Sequence, residues 1–140
     1  MKTERYVRDV QYDSFLSFAG RDGVTAVLFE SPECSVCRAV RPVFEQVAGS
    51  HREARFGVCD VSVEPELARR LEINYLPTLL VAKRGVLVFR QPGRFSGEVI
   101  ERIIEYAQQV DLERLRAEAG RGSEAQVTGH SGNTLNDVQA

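Results

Sequence analysis

Two cysteines, Cys34 and Cys37, stand between a short apolar run and an amphipathic segment. The run at residues 25–29 reads TAVLF and predicts a strand buried on both faces. After the break at Ser31 and Pro32, residues 35–48 predict a helix, because apolar side chains recur at helical spacing. This pattern places Cys34 at a helix N-terminus, where free backbone N–H groups and the helix dipole favour a thiolate.

This Cys-x-x-Cys arrangement indicates thiol–disulfide exchange. A thiolate at Cys34 would attack a disulfide, and Cys37 would resolve the mixed disulfide that forms. The predicted redox group is the Cys34–Cys37 disulfide itself, with no other cofactor. Zinc sites also use such pairs but need two further ligands. Cys59 lies in a predicted strand, where a buried apolar role is the simpler interpretation, and the two histidines offer no ligand spacing, so we expect no metal.

Apolar periodicity along the chain predicts an α/β fold. Short apolar runs and helical patterns alternate, and the last two strands form a hairpin before a final helix that Ser96 can cap. This order predicts a mixed sheet of four to five strands, with helices on both faces and a C-terminal hairpin and helix. The predicted elements are helix 13–19, strand 25–29, helix 35–48, strand 55–61, a helix beginning near Pro65, strands 79–82 and 86–90, and the helix after Ser96.

The chain divides into one predicted domain, residues 1–118, and a tail, residues 119–140. The tail is rich in glycine and polar residues and lacks periodicity, which predicts disorder. A partner-binding peptide at residues 135–138 is the alternative. The net charge of −2 favours neither nucleic acid nor an anionic membrane as partner.

Cysteine count and the N-terminal sequence indicate the compartment. The chain has three cysteines, and such a small, odd number argues against a structural disulfide framework. The first residues contain no apolar segment of a secretory signal, and no apolar run is long enough to span a bilayer. We therefore expect a cytoplasmic protein. It has no dinucleotide-binding motif, so a separate reductase or small thiol would supply electrons.

Several motifs together resemble the thioredoxin family over about residues 10–112. They are TAVLF followed by SPECSVC, Pro42 in the next helix, the Leu76-Pro77-Thr78 segment, and glycines at Gly85 and Gly93. The resemblance implies a thioredoxin-like fold, a monomer, and disulfide-containing protein substrates. It also implies that Pro77 is cis and faces the cysteines, leaving the Leu76 backbone free to bind an extended substrate strand; a trans proline at a strand start is the alternative. The implied substrate groove consists of Glu33, Ser35, Val36, Leu76, Pro77, Thr78 and Gly93.

The sequence departs from the family's pattern around the cysteines. Glu33 replaces a tryptophan, and its negative charge disfavours a thiolate at Cys34, against the effect of the helix dipole. Ser35-Val36 replaces Gly-Pro, and Leu28 replaces the buried acid that takes a proton from the second cysteine. Glu30 shares a strand face with Leu28 and is a candidate substitute for that acid, with a solvated surface glutamate as the alternative.

These observations favour a thiol–disulfide oxidoreductase that reduces protein disulfides. The alternative is a redox-sensing or dedicated partner-binding module with little general reductase activity, which the altered residues around the cysteines favour. An oxidase or isomerase would need an oxidising compartment, which the absence of a predicted signal disfavours.

Overall fold

The computed structural model describes residues 6–122. Its helices and strands follow the order β1 (Val7–Asp9), α1 (Tyr12–Ala19), β2 (Val24–Glu30), α2 (Ser35–Ser50), β3 (Arg55–Asp60), α3 (Pro65–Arg70), β4 (Thr78–Lys83), β5 (Val86–Pro92), α4 (Gly97–Gln109) and α5 (Leu112–Gly122).

The strands form one mixed sheet in the order β1-β3-β2-β4-β5. β3 pairs in parallel with both β1 and β2, while β4 pairs antiparallel with β2 and with β5. Phe29 near the end of β2 lies opposite Thr78 at the start of β4. The loops that follow β2 and precede β4 therefore leave the same edge of the sheet.

Alternate residues of the central strand β2 pack into different cores. Ala26 and Leu28 belong to the core under α2 and α4, whereas Val27 and Phe29 belong to the core under α1 and α3. All four side chains are fully buried. A continuous apolar run is what a strand covered on both faces requires, so the two-layer helical covering follows directly from the sequence of β2.

Helix α2 covers the sheet with one apolar face. Val40, Phe44 and Val47 recur at helical spacing and are buried, and the ring of Phe44 packs edge-on against Phe56 of β3. Pro42 lies inside the helix without ending it. The buried face fixes the rotation of the helix about its axis, and with it the position of the cysteines at its N-terminal end.

The predicted fold class is confirmed: the chain is α/β, with a mixed five-stranded sheet and helices on both faces. Ser96 caps α4 as expected, since its hydroxyl accepts a hydrogen bond from the Val99 amide at 3.2 Å. Two elements were not predicted. β1 has only three residues, too few for a periodic pattern, and α5 has a largely polar sequence.

Helix α5 extends the structure beyond α4. Leu112 is buried in the core under α2 and α4, with Leu115 packed against it. The ammonium group of Lys83 donates to the carbonyl oxygens of Gln108 and Val110 at 2.8 Å, holding the turn between the helices. The domain boundary predicted at residue 118 falls inside α5. The rest of the predicted tail, residues 123–140, lies outside the described residues.

A helix suited to crossing a membrane would have to be long and apolar, and none within residues 6–122 is both.

Candidate active site

Cys34 and Cys37 form a disulfide at the N-terminal end of α2, with their Cα atoms 5.2 Å apart. Cys34 is the N-cap residue of the helix, and its sulfur accepts a hydrogen bond from the Cys37 backbone amide at 3.1 Å. The two residues differ in exposure: Cys34 is half-buried, whereas Cys37 is only 2% exposed. Cys34, at the helix N-terminus, is therefore the more accessible of the two cysteines, and Cys37 is buried.

The loop before α2 presents Cys34 in a fixed position. The Cys34 amide donates to the Ser31 carbonyl oxygen at 3.2 Å, and Arg38 donates from Nη1 to the Pro32 carbonyl oxygen at 2.7 Å. Glu33 and Ser35 on either side of Cys34 are exposed. Val36 is half-buried and packs against the core under α2 and α4.

The Leu76–Pro77 peptide bond is cis. Two hydrogen bonds, one to the carbonyl oxygen of Pro77 and one to that of Tyr75, hold the turn that contains it. The Gly93 amide donates to the Pro77 carbonyl oxygen at 3.0 Å, and the Thr78 hydroxyl donates to the Tyr75 carbonyl oxygen at 2.6 Å. Gly93 has a φ of 153°, a region that favours glycine. Since Thr78 pairs with Phe29 on β2, this turn and the loop carrying Cys34 share one edge of the sheet.

The predicted groove residues do not all present side chains to that edge. Pro77 is buried and Thr78 is only 3% exposed, so the Thr78 side chain holds the turn rather than lining a surface. Leu76 is half-buried and packs against the core under α1 and α3. Tyr75, which is not among the predicted groove residues, is 71% exposed. Its place next to the Leu76-Pro77-Thr78 segment was the available signal.

Glu30 lies at the end of β2 and lines a cavity of 580 Å³ together with Cys37, Arg41 and Asp60. Its side chain is only 14% exposed, so the alternative of a solvated surface glutamate is wrong. Arg41 Nη1 donates to Glu30 Oε2 at 2.5 Å, and Arg41 Nε donates to Glu45 at 2.9 Å.

The charge state of Glu30 is set by competing effects. Burial raises the pKa of Glu30 above its ordinary value, Arg41 opposes this shift, and the negative charges of Asp60 and Glu45 add to it. Leu28, two residues earlier on the same strand face, is fully buried and cannot exchange a proton. Glu30 is thus a carboxyl group in the cavity that Cys37 also lines.

Cys59 takes no part in this site. It is fully buried in β3, in the core under α1 and α3. Burial raises the pKa of the Cys59 thiol to about 12, and the carboxylates of Glu64, Asp60 and Glu30 contribute to the shift. It is therefore a neutral thiol at neutral pH. Within residues 6–122, no three histidine, cysteine or acidic side chains are grouped so as to hold a metal ion.

Comparison with known proteins identifies a common family. The family model described as Thioredoxin matches residues 5–108. The chain is 32% identical over 83 residues to a putative thioredoxin 2 of Streptomyces coelicolor, covering 59% of this chain and 62% of that protein. It is 34% identical over 87 residues to a thioredoxin of Staphylococcus saprophyticus, covering 59% of this chain and 84% of that protein.

A solved structure shows the same fold. Mitochondrial thioredoxin 3 of Saccharomyces cerevisiae, in its oxidised form, aligns with a TM-score of 0.68 at 20% identity, over 75% of this chain and 99% of that one. Because relatives and family model alike are thioredoxins, the alternative of a redox-sensing or dedicated partner-binding module with little general reductase activity is not favoured. The chain belongs to the thioredoxin family of thiol–disulfide oxidoreductases, which use a redox-active disulfide as their redox group.

Proposed function

We propose that the chain reduces disulfides of protein substrates, with Cys34 as the attacking residue and Cys37 as the resolving one. The observation that carries this assignment is the unequal exposure of the two cysteines, because the half-buried Cys34 is more accessible to a large substrate than the buried Cys37. The hydrogen bond from the Cys37 amide and the α2 N-terminus stabilise a negative charge on Cys34 Sγ.

The exchange cycle balances through two thiolate displacements. The Cys34 thiolate attacks one sulfur of the substrate disulfide, forming a mixed disulfide and releasing one substrate thiolate. Cys37 then loses its proton and attacks Cys34 Sγ, which forms the Cys34–Cys37 disulfide and releases the second substrate thiolate. Two electrons pass to the substrate. A separate reductase or small thiol returns them to the pair.

The surface beside Cys34 fits an extended substrate strand. The Leu76 backbone makes no hydrogen bond with the other described residues, so its N–H and C=O groups are open to a partner strand. The exposed ring of Tyr75 and the half-buried Val36 add apolar contact area on either side. Gly93 and Thr78 hold the turn in place. Glu33 and Ser35 border the cysteines and are the polar part of this surface.

Glu30 is the proposed acceptor of the Cys37 proton. Cys37 is buried and becomes a nucleophile only after it loses its proton, so a base within its own cavity is required. Glu30 lines that cavity and its raised pKa makes it a stronger base than an exposed carboxylate. A water molecule in the cavity would carry the proton between the two groups.

The proposal includes a monomer in the cytoplasm. One chain holds both cysteines of the cycle, so no second copy is required. A reducing compartment keeps the pair available as a dithiol, which is the form that attacks a substrate.

Substitution of each cysteine tests the assignment of roles. C34S should abolish reduction of insulin disulfides, and C37S should accumulate mixed disulfides with protein substrates, which mass spectrometry detects. C59A, which removes a buried thiol outside the site, should keep the rate of the unsubstituted chain. Partial activity in C34S, or mixed disulfides formed through Cys37 in C34S, would contradict the proposed order of attack.

A further inference from the structure

A second groove lies at the opposite edge of the sheet from the disulfide. Ten of the described residues line it, and its volume is 710 Å³. Cys34 follows the last residue of β2, whereas Arg21 precedes the first residue of β2 and Arg55 begins the parallel neighbour β3. The two sites therefore occupy opposite ends of the same strands.

Four arginines line this groove, which we call the arginine groove: Arg8, Arg21, Arg52 and Arg55. They come from β1, the α1–β2 loop, the α2–β3 loop and the start of β3. Folding, not a run of basic sequence, brings them together. Among the described residues of the lining, Glu53 is the one that is acidic. The lining thus carries a positive excess in a chain whose formal net charge is −2.

The positive charges of the arginine groove are not neutralised by the part of the chain that the structure describes. Within residues 6–122, the side chains of Arg8 and Arg21 form no ion pair or hydrogen bond, and the Arg52 guanidinium lies over the Tyr6 ring, 4.9 Å from its centroid. By contrast, five arginines elsewhere pair with carboxylates: Arg41, Arg69, Arg70, Arg90 and Arg114.

Arg55 is held in place by neutral acceptors. Its Nε donates to Thr25 Oγ1 at 3.1 Å and its Nη2 donates to the Asp22 carbonyl oxygen at 2.5 Å. Burial lowers the pKa of Arg55, and the positive charge of Arg21 lowers it further, against the opposing effect of the Asp22 carboxylate. Arg21 therefore lies near enough to repel Arg55, and an anion between them would relieve that repulsion.

The carboxylate of Glu53 already has partners among the neighbouring side chains. Its Oε2 accepts a hydrogen bond from Gln108 Nε2 at 2.7 Å and lies 3.2 Å from His51 Nδ1. These contacts lower the pKa of Glu53, chiefly through Gln108. The carboxylate is thus held toward α4, and the guanidinium groups remain available to a ligand.

We propose that the arginine groove binds a small anion with two linked phosphate groups, either inorganic pyrophosphate or the diphosphate of a nucleotide. Guanidinium groups bind phosphate oxygens through paired charge-assisted hydrogen bonds. The groove volume lies within the range of small-molecule sites, about 300–1,000 Å³. Four guanidinium groups against one carboxylate match the charge of a diphosphate better than that of a single phosphate.

Isothermal titration calorimetry on the full chain tests this proposal, with pyrophosphate, orthophosphate and ADP as probes at physiological ionic strength. We expect pyrophosphate to bind more tightly than orthophosphate. R8Q and R21Q should each raise the Kd for pyrophosphate about tenfold, as expected for loss of one charge-assisted contact. Both side chains are exposed and form no hydrogen bond or ion pair with the described residues, so neither substitution should affect folding.

R102Q is the matched control, because Arg102 is an exposed arginine on α4 outside the groove lining. It should leave the Kd unchanged. Tighter binding of ADP than of pyrophosphate would identify a nucleotide as the ligand, and equal affinities would identify the diphosphate alone. Absence of pyrophosphate binding at millimolar concentration, or equal Kd values in R21Q and R102Q, would overturn the proposal. Insulin reduction by R8Q and R21Q should be unchanged, which separates this test from that of the proposed function.

Discussion

The backbone amide of Cys37 donates a hydrogen bond to Cys34 Sγ at 3.1 Å, so Cys37 acts on Cys34 in two ways. The amide of Cys37 stabilises charge on Cys34, while the sulfur of Cys37 is the proposed attacker of the same atom. Because the amide belongs to the first turn of α2, the helix fixes the position of the donor, and the Cys34 side chain places its sulfur against it. The proposed resolving step therefore needs little movement of the backbone.

Replacement of Glu30 by glutamine should slow the resolving step about a hundredfold at neutral pH, since it removes the base from the cavity that Cys37 lines. The rate of insulin reduction in single-turnover experiments, quenched by alkylation, measures this. E45Q is the control, because Glu45 also binds Arg41 but does not line that cavity. Equal rates in E30Q and E45Q would exclude Glu30 as the proton acceptor.

The same step should depend on pH through Glu30. A base accepts a proton only in its deprotonated form, so the resolving rate should fall as pH falls through the pKa of Glu30. Because burial raises that pKa, the fall should begin at a higher pH than for an ordinary carboxyl group. The negative charges of Asp60 and Glu45 raise the pKa of Glu30 further, and Arg41 lowers it. The pH profile of E30Q should lack this inflection, and a profile unchanged from that of the original chain would contradict the assignment.

Replacement of Tyr75 by alanine should raise KM several-fold for a protein disulfide and leave KM for a small aromatic disulfide unchanged. The 71% exposed ring offers contact area that only a large substrate can reach. Steady-state kinetics with insulin and with the small disulfide measure the difference. Y106A is the control, because Tyr106 is also exposed, at 53%, but lies on α4. A parallel loss with both substrates would indicate damage to the site instead.

Replacement of Gly93 by alanine should destabilise the fold by about 1–2 kcal/mol, because its φ of 153° is unfavourable for a residue with a side chain. An added Cβ would lie 3.5 Å from the Phe95 ring, an ordinary contact, so the cost comes from the backbone. Urea denaturation followed by circular dichroism measures it. The control is G97A, at the first residue of α4. Its added Cβ would lie 3.4 Å from the Val43 side chain, so the substitution should change stability little. Equal stability of the two variants would contradict this account.

Replacement of Leu112 by alanine should cost about 2 kcal/mol, because this residue of α5 is buried in the core under α2 and α4. The midpoint of urea denaturation should fall accordingly. R116A is the control on the same helix, where the side chain is exposed. If L112A and R116A had equal midpoints, α5 would not be part of the folded unit.

The central strands and the cysteine pair could be predicted because their signals are local. The apolar run of β2, the periodic face of α2 and the cap at Ser96 each determine nearby structure. β1 could not be predicted, since its three residues are held by pairing with the distant β3. α5 has few apolar residues, and Leu112 is buried only because the core it joins is already formed.

The candidate site was predictable only in part for the same reason. Strand alternation correctly placed Glu30 on the face of Leu28, but its burial depends on Arg41 and Asp60, which the fold brings to it. Thr78 lies in the motif that suggested the substrate groove, yet its hydroxyl donates a hydrogen bond to the backbone carbonyl oxygen of Tyr75 and its side chain is buried. The arginine groove could not be predicted from the sequence, because its four arginines come from four separate segments.

The burial of Cys59 has a practical consequence for studies of this chain. A thiol that is fully buried, with a pKa raised to about 12, does not react with a maleimide or iodoacetamide probe while the protein is folded at neutral pH. Labelling of the reduced, folded chain is therefore confined to the Cys34–Cys37 pair, and Cys34, the more accessible of the two, takes the probe first. A single fluorophore at the redox centre can thus be introduced without substituting any residue. Because the chain has no tryptophan, no tryptophan fluorescence overlaps with the signal of the probe.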